Sequence, residues 1–436
     1  MLNAREMANV PDMADMLEQV KEEIERCSKC GTCRAHCPVF EVKHHEPFVA
    51  RGLIRLARSY LAGELKASRR LTELFSHCLL CKTCTARCPN GVDTSTIVSV
   101  VRNKIAAEKA PDITAIVLKN LLPYPKRLGY LANLARVSRF LGFMRIGSLL
   151  PAPFSFVDSL DRFTQLLSTP PGRPLRTSYP SQIIPPFPTS RPRGVVAYFT
   201  GCMSGFIFPS LGQRVINLLT SLGYEVHLPE QVCCGAPALA YGYLDLFHRL
   251  ATQNIFSFKQ GNYEAIIVDC ASCGAVWKEY ARWIRIKEAK ELASRVQDIS
   301  QFIVTKAELV EELKSKLSSH GVGQTKRIVT YHDPCHLKKA LGVSKEPRLL
   351  LQVVSQLEFR EMPGADRCCG AAGSYWLTHP DIAQQLATSK VQAIQASGAE
   401  VVVTSCPACL MQISYALRKA GLKVEAKHII EVIGEY

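Results

Sequence analysis

Aromatic residues are scarce, at 8% of the chain with three tryptophans, and long apolar runs are missing. No stretch approaches the roughly 20 apolar residues that span a bilayer, so no transmembrane helix is expected. The opening MLNAREMANVPDMADMLEQVKEEIERC is charged and lacks the apolar core of about 7–15 residues that marks a secretory signal. A secreted, disulfide-stapled chain is disfavoured, since such chains are also usually short. No GxGxxG follows a strand pattern, and neither a P-loop nor a hydrolase nucleophile motif occurs. The chain therefore shows no flavin or nicotinamide site of its own. Helix-turn-helix, RNA-recognition and zinc-finger patterns are missing too, so nucleic acid is not an expected partner.

Cysteine is what the chain has in excess, 18 in 436 residues. Together with the charged opening, this points to a cytoplasmic protein whose thiols are reduced and occupied by metal. The 47% hydrophobic content is enough for two or three domains with real cores. The formal net charge of +15 suits an anionic membrane surface or an acidic protein partner.

The cysteines divide the chain. Eight lie between Cys27 and Cys88, and the next is Cys202. The gap ends in STPPGRPLRTSYPSQIIPPFPTSRPRG, which holds eight prolines. Proline fixes φ and removes a donor, so this linker is expected to be extended and non-helical. Beyond it VVAYFTGC matches IVTYHDPC, QVCCGAP matches DRCCGAA, and AIIVDCASCG matches VVVTSCPACL. The paired cysteines are offset by 133, 135, 135, 136 and 136 residues, which indicates a duplicated domain. Each copy is expected to end with its CxxC and the helix after it. The implied divisions are 1–110, a helical module; 111–167, a basic amphipathic connector; 168–193, the linker; 194–325 and 326–436, the two copies. Short β-branched runs such as GVVAYFT and EVVVTSC read as buried parallel strands. FPSLGQRVINLLTSLG and HPDIAQQLATSKVQAIQASG read as helices with glycine after the C-cap. The fold class is therefore α/β, with a helical module in front.

CSKCGTCRAHCP and CLLCKTCTARCP share the spacing C-x2-C-x2-C-x3-C-P. This is the two-cluster ferredoxin run, in which the fourth cysteine ligates the other cluster. By that rule Cys27, Cys30, Cys33 and Cys88 hold one [4Fe-4S] cluster, and Cys78, Cys81, Cys84 and Cys37 hold a second. Zinc or disulfides are the bland alternatives, but structural zinc normally uses two separated cysteine pairs. EPFVARGLIRLARSYLAGELKAS fills the space between the runs with a basic helix pattern. His36, His44, His45 and His77 lie nearby and read as solvent-facing or supporting groups. Nothing in this half offers a substrate pocket.

Each copy supplies five cysteines: Cys202, Cys233, Cys234, Cys270 and Cys273, then Cys335, Cys368, Cys369, Cys406 and Cys409. Five exceeds the four that a cubane or a zinc ion takes. Three readings stand: a zinc site with a spare thiol, a cubane with a free cysteine, or a larger iron-sulfur cluster that uses all five. Glycine after each adjacent pair (Gly235, Gly370) lets the backbone pass close to a metal. His332, Asp333 and His336 flank Cys335. They read as packing or helix-capping groups, Asp333 as the cap, or else as proton donors or quinone contacts.

The order of ferredoxin run, linker and two CCG copies, with the phrases CCGAAGSYWLTHPDIAQQLATSK and ASCGAVWKEYA, resembles the iron-sulfur subunits of glycolate oxidase (glycolate/D-lactate dehydrogenase). Their relatives include the small iron-sulfur component of anaerobic glycerol-3-phosphate dehydrogenase and the B and D components of heterodisulfide reductase. The resemblance covers essentially the whole chain. It implies one cluster in each CCG copy, a noncubane [4Fe-4S] held by all five cysteines, with the substrate pocket on another polypeptide. It also implies an FAD-containing partner that oxidises glycolate or D-lactate, with electrons passing on to a quinone or another carrier. The alternative it carries is a heterodisulfide-reductase-type subunit that works on a disulfide at a CCG cluster. Ile113 to Val157 holds Lys119, Lys126, Arg127, Arg136, Arg139 and Arg145 and no acidic residue. Tyr130, Leu134, Val137, Leu141 and Met144 recur there at helical spacing. Such a helix can lie on the inner face of the cytoplasmic membrane or pack between domains.

Overall fold

The computed structural model describes residues 13–110, 113–140, 172–318 and 326–434. The first segment is helical throughout its regular structure. Helix α1 (Met13–Glu25), α2 (Ala50–Leu61), α3 (Arg69–Ser76) and α4 (Thr94–Ala107) pack together. In α2, Ala50, Leu53, Ile54, Ala57 and Tyr60 fall on one face and are buried, so the basic residues point outward. Helix α4 is the centre of the module. The Asp93 carboxylate caps it, accepting from the amides of Ser95 (3.1 Å) and Thr96 (3.3 Å). Val98, Val100 and Val101 of α4 have no solvent exposure.

Helices α5 (Ile113–Leu121) and α6 (Pro125–Phe140) follow. The basic segment is thus broken at Pro125, whose ring suits the first turn of a new helix. Ile113, Tyr130 and Leu131 are exposed, whereas Ala115 and Leu122 are buried. Leu141, Met144 and Arg145 lie outside the described residues, and so do 146–157. Among the described residues no helix is long and apolar enough to cross a membrane.

The linker departs from expectation in two places. Leu175–Ser178 forms a 3-10 turn, because Pro174 leaves its carbonyl free to accept from Thr177 N (3.0 Å) and Leu175 is buried at 2% exposure. Strand β1 (Ile183–Ile184) then pairs antiparallel with the first sheet. The linker is therefore tied down. The Arg176 guanidinium adds bonds to the carbonyls of Leu228 (3.0 Å) and Pro229 (3.1 Å).

The duplication appears as two parallel sheets. In the first copy, β2 (Gly194–Phe199), α7 (Pro209–Ser221), β3 (Tyr224–His227), α8 (Leu244–Phe258), β4 (Ile266–Val268), α9 (Ala271–Trp283), β5 (Val296–Asp298) and α10 (Ile299–Val304) give the order β1-β3-β2-β4-β5. In the second, α11 (Cys335–Ala340), α12 (Lys345–Val353), α13 (Pro380–Ala396), α14 (Pro407–Lys419) and α15 (Ile429–Ile433) surround β6 (Arg327–His332), β7 (Leu357–Phe359), β8 (Val401–Thr404) and β9 (Glu425–His428). Their order is β7-β6-β8-β9. Apart from β1, every strand pair is parallel. Tyr198, Val268, Tyr331 and Val403 are fully buried, which is why these strands read as near-continuous apolar runs. Gly223 (φ 88°) and Gly398 (φ 67°) stop α7 and α13 in the left-handed conformation expected of a residue after the C-cap. One expectation is corrected. Neither copy ends at its CxxC helix: each adds a further parallel strand, β5 or β9, which takes the edge of the sheet and leaves β4 or β8 paired on both sides, and then a short helix.

Candidate metal centres

All 18 cysteines are free thiols, so neither adjacent pair is a disulfide. In the N-terminal module they gather around two hollows. Cys27, Cys30, Cys33 and Cys88 line one, together with Arg51, Ile54 and Val92. Cys37, Cys78, Cys81 and Cys84 line the other, with Phe48, Leu53 and Leu79. These are the two ligand sets that the crossed spacing rule assigns. Cys84 borders both hollows, so they adjoin.

The loops share an unusual backbone. Lys29 (φ 61°) and Gly31 (φ 84°) flank Cys30, and Leu80 (φ 52°) and Lys82 (φ 57°) flank Cys81. Left-handed residues cost about 1–2 kcal/mol when they are not glycine. Turns built on them create backbone concavities that bind anions. Four thiols around such a concavity fit an anionic iron-sulfur cluster. Burial pushes the Cys37 thiol up to about 12 and the Cys84 thiol well above its ordinary value. A metal ion offsets that penalty by drawing off the proton.

The CCG cysteines sit where strands run into helices, at the carboxyl ends of the sheets. Cys270 is the N-cap of α9 and Cys273 its third residue; Cys406 and Cys409 take the same places on α14. A helix N-terminus favours a thiolate. After each adjacent pair, Gly235 (φ 92°) and Gly370 (φ 84°) adopt a left-handed turn. The Gly235 amide donates to Cys233 Sγ (3.5 Å) and the Gly370 amide to Cys368 Sγ (3.4 Å). A Cβ on Gly370 would lie 2.5 Å from the Ala383 carbonyl oxygen, and one on Gly235 would lie 2.7 Å from the Phe247 ring.

The ten thiols do not form two isolated groups. Cys234 is held well below the ordinary thiol range by hydrogen bonds from Cys233 and Cys273. Cys369 is lowered in the same way by Cys368 and Cys409, and Cys406 by Cys270 and Cys409. The contact between Cys270 and Cys406 joins the two copies. At the other end, Cys335 and Cys368 pack with Cys81 and Cys37 of the N-terminal module. The duplicated register pairs equivalent cysteines, but nothing in it says that the two CxxC turns face each other.

The module and the copies are locked by polar contacts. His336 Nε2 donates to the Leu80 carbonyl (3.1 Å), which leaves Nδ1 to accept from the Ser272 hydroxyl (3.1 Å). It therefore bridges the second ferredoxin run and the first CxxC turn. Lys339 Nζ donates to Thr83 Oγ1 (2.6 Å), Lys82 pairs with Glu279, and Arg282 pairs with Asp93. Asp333 is not the helix cap expected of it, because Pro334 takes that place. Its buried carboxylate instead accepts both arms of Arg348, at 2.8 and 2.9 Å. Of the other histidines, His36, His44 and His45 are exposed, while His77 is buried against Phe48 and His379.

Supporting residues that motif reading missed hold the cysteine loops. Asn254 Nδ2 donates to the Cys233 carbonyl (3.2 Å), and the Tyr280 hydroxyl donates to the Cys234 carbonyl (2.7 Å). In the second copy buried Lys390 donates to the carbonyls of Gly364 (2.9 Å) and Ala365 (3.2 Å). The repeat offset already places Lys390 opposite the Asn254–Ile255 stretch, and that mismatch was the available signal.

Comparison with known proteins agrees with this anatomy. A cysteine-rich domain model matches residues 196–278 and 329–414, and a 4Fe-4S dicluster domain model matches 23–92. The Bacillus subtilis protein named "Probable glycolate oxidase iron-sulfur subunit" is 28% identical over 93% of this chain and 92% of its own length. Lactate utilization protein A of Exiguobacterium is 34% identical over 55% of this chain and 97% of its own length. The B component of the CoM/CoB fumarate reductase of Methanothermobacter marburgensis is 36% identical over 56% of this chain, but the match spans only 46% of that larger protein. The chain thus belongs to the family of cysteine-rich CCG-domain iron-sulfur proteins that includes lactate utilization protein A.

Proposed function

We propose that this chain is the electron-transfer iron-sulfur subunit of a glycolate or D-lactate dehydrogenase. Its substrate chemistry resides on an FAD-containing partner, and its electrons leave to a quinone or another carrier. One observation carries the reading: the thiol groups follow one another without a break. Cys84 is common to the two hollows of the module, Cys81 lies with Cys335 and Cys368, and Cys270 meets Cys406. Bound clusters supply reversible one-electron transfer.

Within this reading each group of residues has a role. Cys27, Cys30, Cys33 and Cys88 hold the outermost [4Fe-4S] cluster, where exposed Cys30 marks the end open to a partner. Cys37, Cys78, Cys81 and Cys84 hold the second. Cys335, Cys368, Cys369, Cys406 and Cys409 hold the third. Cys202, Cys233, Cys234, Cys270 and Cys273 hold the fourth. The buried thiols keep water from the inner groups, and His336 fixes the distance between the second loop and the first CxxC. The names of the glycolate oxidase and lactate utilization relatives support the choice of substrate class.

The test is anaerobic purification of the chain with its co-purifying flavoprotein. Glycolate or D-lactate should bleach the cluster absorbance only when that flavoprotein is present. Clusters that neither acid reduces in the complete complex would sink the reading. The resemblance of part of the chain to a CoM/CoB-linked fumarate reductase component favours a second reading, a CCG site acting on a disulfide. Reduction of a mixed disulfide by the isolated chain would support it.

The basic segment 113–157 is proposed as a contact with anionic lipid, supported by its six cations and lack of acidic residues. Liposome binding should weaken with salt. Equal sedimentation of a variant with Arg136 and Arg139 both changed to Glu would remove that proposal.

A further inference from the structure

One difference between the two CCG copies lies among the thiols themselves. In the repeat register the residue three before the lone cysteine is Phe199 in the first copy and His332 in the second. Phe199 is an ordinary core residue. It is buried, with its ring centroid 5.4 Å from that of Trp277 and 5.8 Å from that of Phe258. His332 is just as buried, at 1% exposure, and the group its ring meets is the thiol of Cys369, with no nitrogen or oxygen partner for either ring nitrogen among the described residues. A buried imidazole that meets only thiols exchanges its hydrogen bonds to water for weak ones, so a ring kept there calls for a stronger partner. One ring nitrogen and the sulfurs of Cys369 and Cys409 lie within 4.8 Å of one another. That is a three-donor set of the types that bind iron or zinc.

We infer that His332 is a metal ligand of the second CCG site, sharing one iron with Cys369 and Cys409. The first site, with phenylalanine in its place, is an all-thiolate site. The inference rests on the iron-sulfur reading of these cysteines given above. The strand places the donor: β6 ends at His332, where its side chain points into the same end of the sheet as the CCG turn. Imidazole differs from thiolate in carrying no negative charge. His332 stands where the first copy has Phe199, so it adds a neutral donor to an equal set of five cysteines, and the two copies should be electronically unequal.

The experiment uses the full-length chain purified anaerobically, grown once with natural and once with [15N]histidine. Pulsed EPR of the reduced protein should show a strong nitrogen coupling whose pattern changes with the label. His332→Phe, which installs the residue that the sister domain already accommodates, should abolish the coupling. It should also shift the midpoint potential of the second site and leave the first unchanged. His336→Gln should keep the coupling, which separates the two histidines. A wild-type coupling that is absent, or no stronger than that of a hydrogen-bonded imidazole, overturns the proposal, and this holds even if the variant fails to fold. Metal analysis keeps the underlying reading separate. About 16 irons per chain supports four clusters, whereas zinc in place of the second-site iron sinks the cluster reading and the ligand proposal with it.

Discussion

The first and second CCG copies have the same strand order, the same cysteine pattern and the same helix-capping thiols, yet different surroundings. The first copy holds its CC turn with neutral groups, Asn254 and Tyr280, under a roof of Phe199, Phe247 and Trp277. The second has buried Lys390, His332 and the Asp333–Arg348 pair around an equivalent turn. Equivalent turns are thus held by different groups, and the first copy places its buried carboxylate, Asp269, beside Cys270 rather than around the CC turn. Duplication preserved the cysteines, and divergence acted on what surrounds them. In an electron carrier that is where potentials are set, through burial, charge and hydrogen bonds to sulfur.

The largest effect that could break this comparison is loss of a site. Cys234→Ser and Cys369→Ser should each lower the iron content by about four per chain in an anaerobic preparation. If either variant keeps its full iron, that copy holds no cluster of the proposed kind. Next comes the glycine after each pair. Gly370→Ala should destabilise by about 4 kcal/mol, combining the left-handed backbone with a rigid carbonyl 2.5 Å away. Gly235→Ala should cost about half as much, because it meets a ring edge. Denaturant melts of both variants would reveal whether the two turns are equally tight.

The ion pair gives a third contrast. Arg348→Met leaves a carboxylate at 1% exposure without its bidentate partner. It should cost about 3 kcal/mol in the same melts. Lys338 Nζ, 3.6 Å from Asp333, moderates the loss. The smallest effect belongs to the aromatic cage around His248 of the first copy. Burial holds His248 down to about 4, from an ordinary value near 6.5. The unfolded chain then binds the extra proton first. Stability from this group is complete above pH 6.5 and falls as pH drops toward 4. His248→Leu should therefore lose less stability than wild type between pH 7 and pH 5, by about 2 kcal/mol. Identical acid profiles would show that the cage is wetter than its burial implies.

Much of this was legible in the sequence, because the cysteines are spaced by local geometry. The two C-x2-C-x2-C-x3-C-P runs and the offset of the CCG copies are short-range or repetitive patterns, and the structure gathers the first eight thiols as the crossed rule requires. The strands were readable from their β-branched runs. The docking was not. Cys270 meets Cys406, and His336 reaches both Leu80 and Ser272, through packing between domains that leaves no period in the chain. The linker also misled, since proline content forecasts its φ angles but not that Leu175 is buried or that Ile183–Ile184 adds to a sheet. His332 was noticed only as a neighbour of Cys335. Its real companions, Cys369 and Cys409, follow it by 37 and 77 residues.

The bridge made by His336 also bears on how the protein is made. Leu80 and His336 are 256 residues apart in the chain. At about 5–20 residues per second, the second ferredoxin loop leaves the ribosome roughly 13–50 s before the residue that pins it exists. During that interval eight thiols of the module are present without the domains that later cover them. Docking of the module against the second copy is therefore a late event, completed only when the last domain has been synthesised, and until then the module's thiols lack that cover.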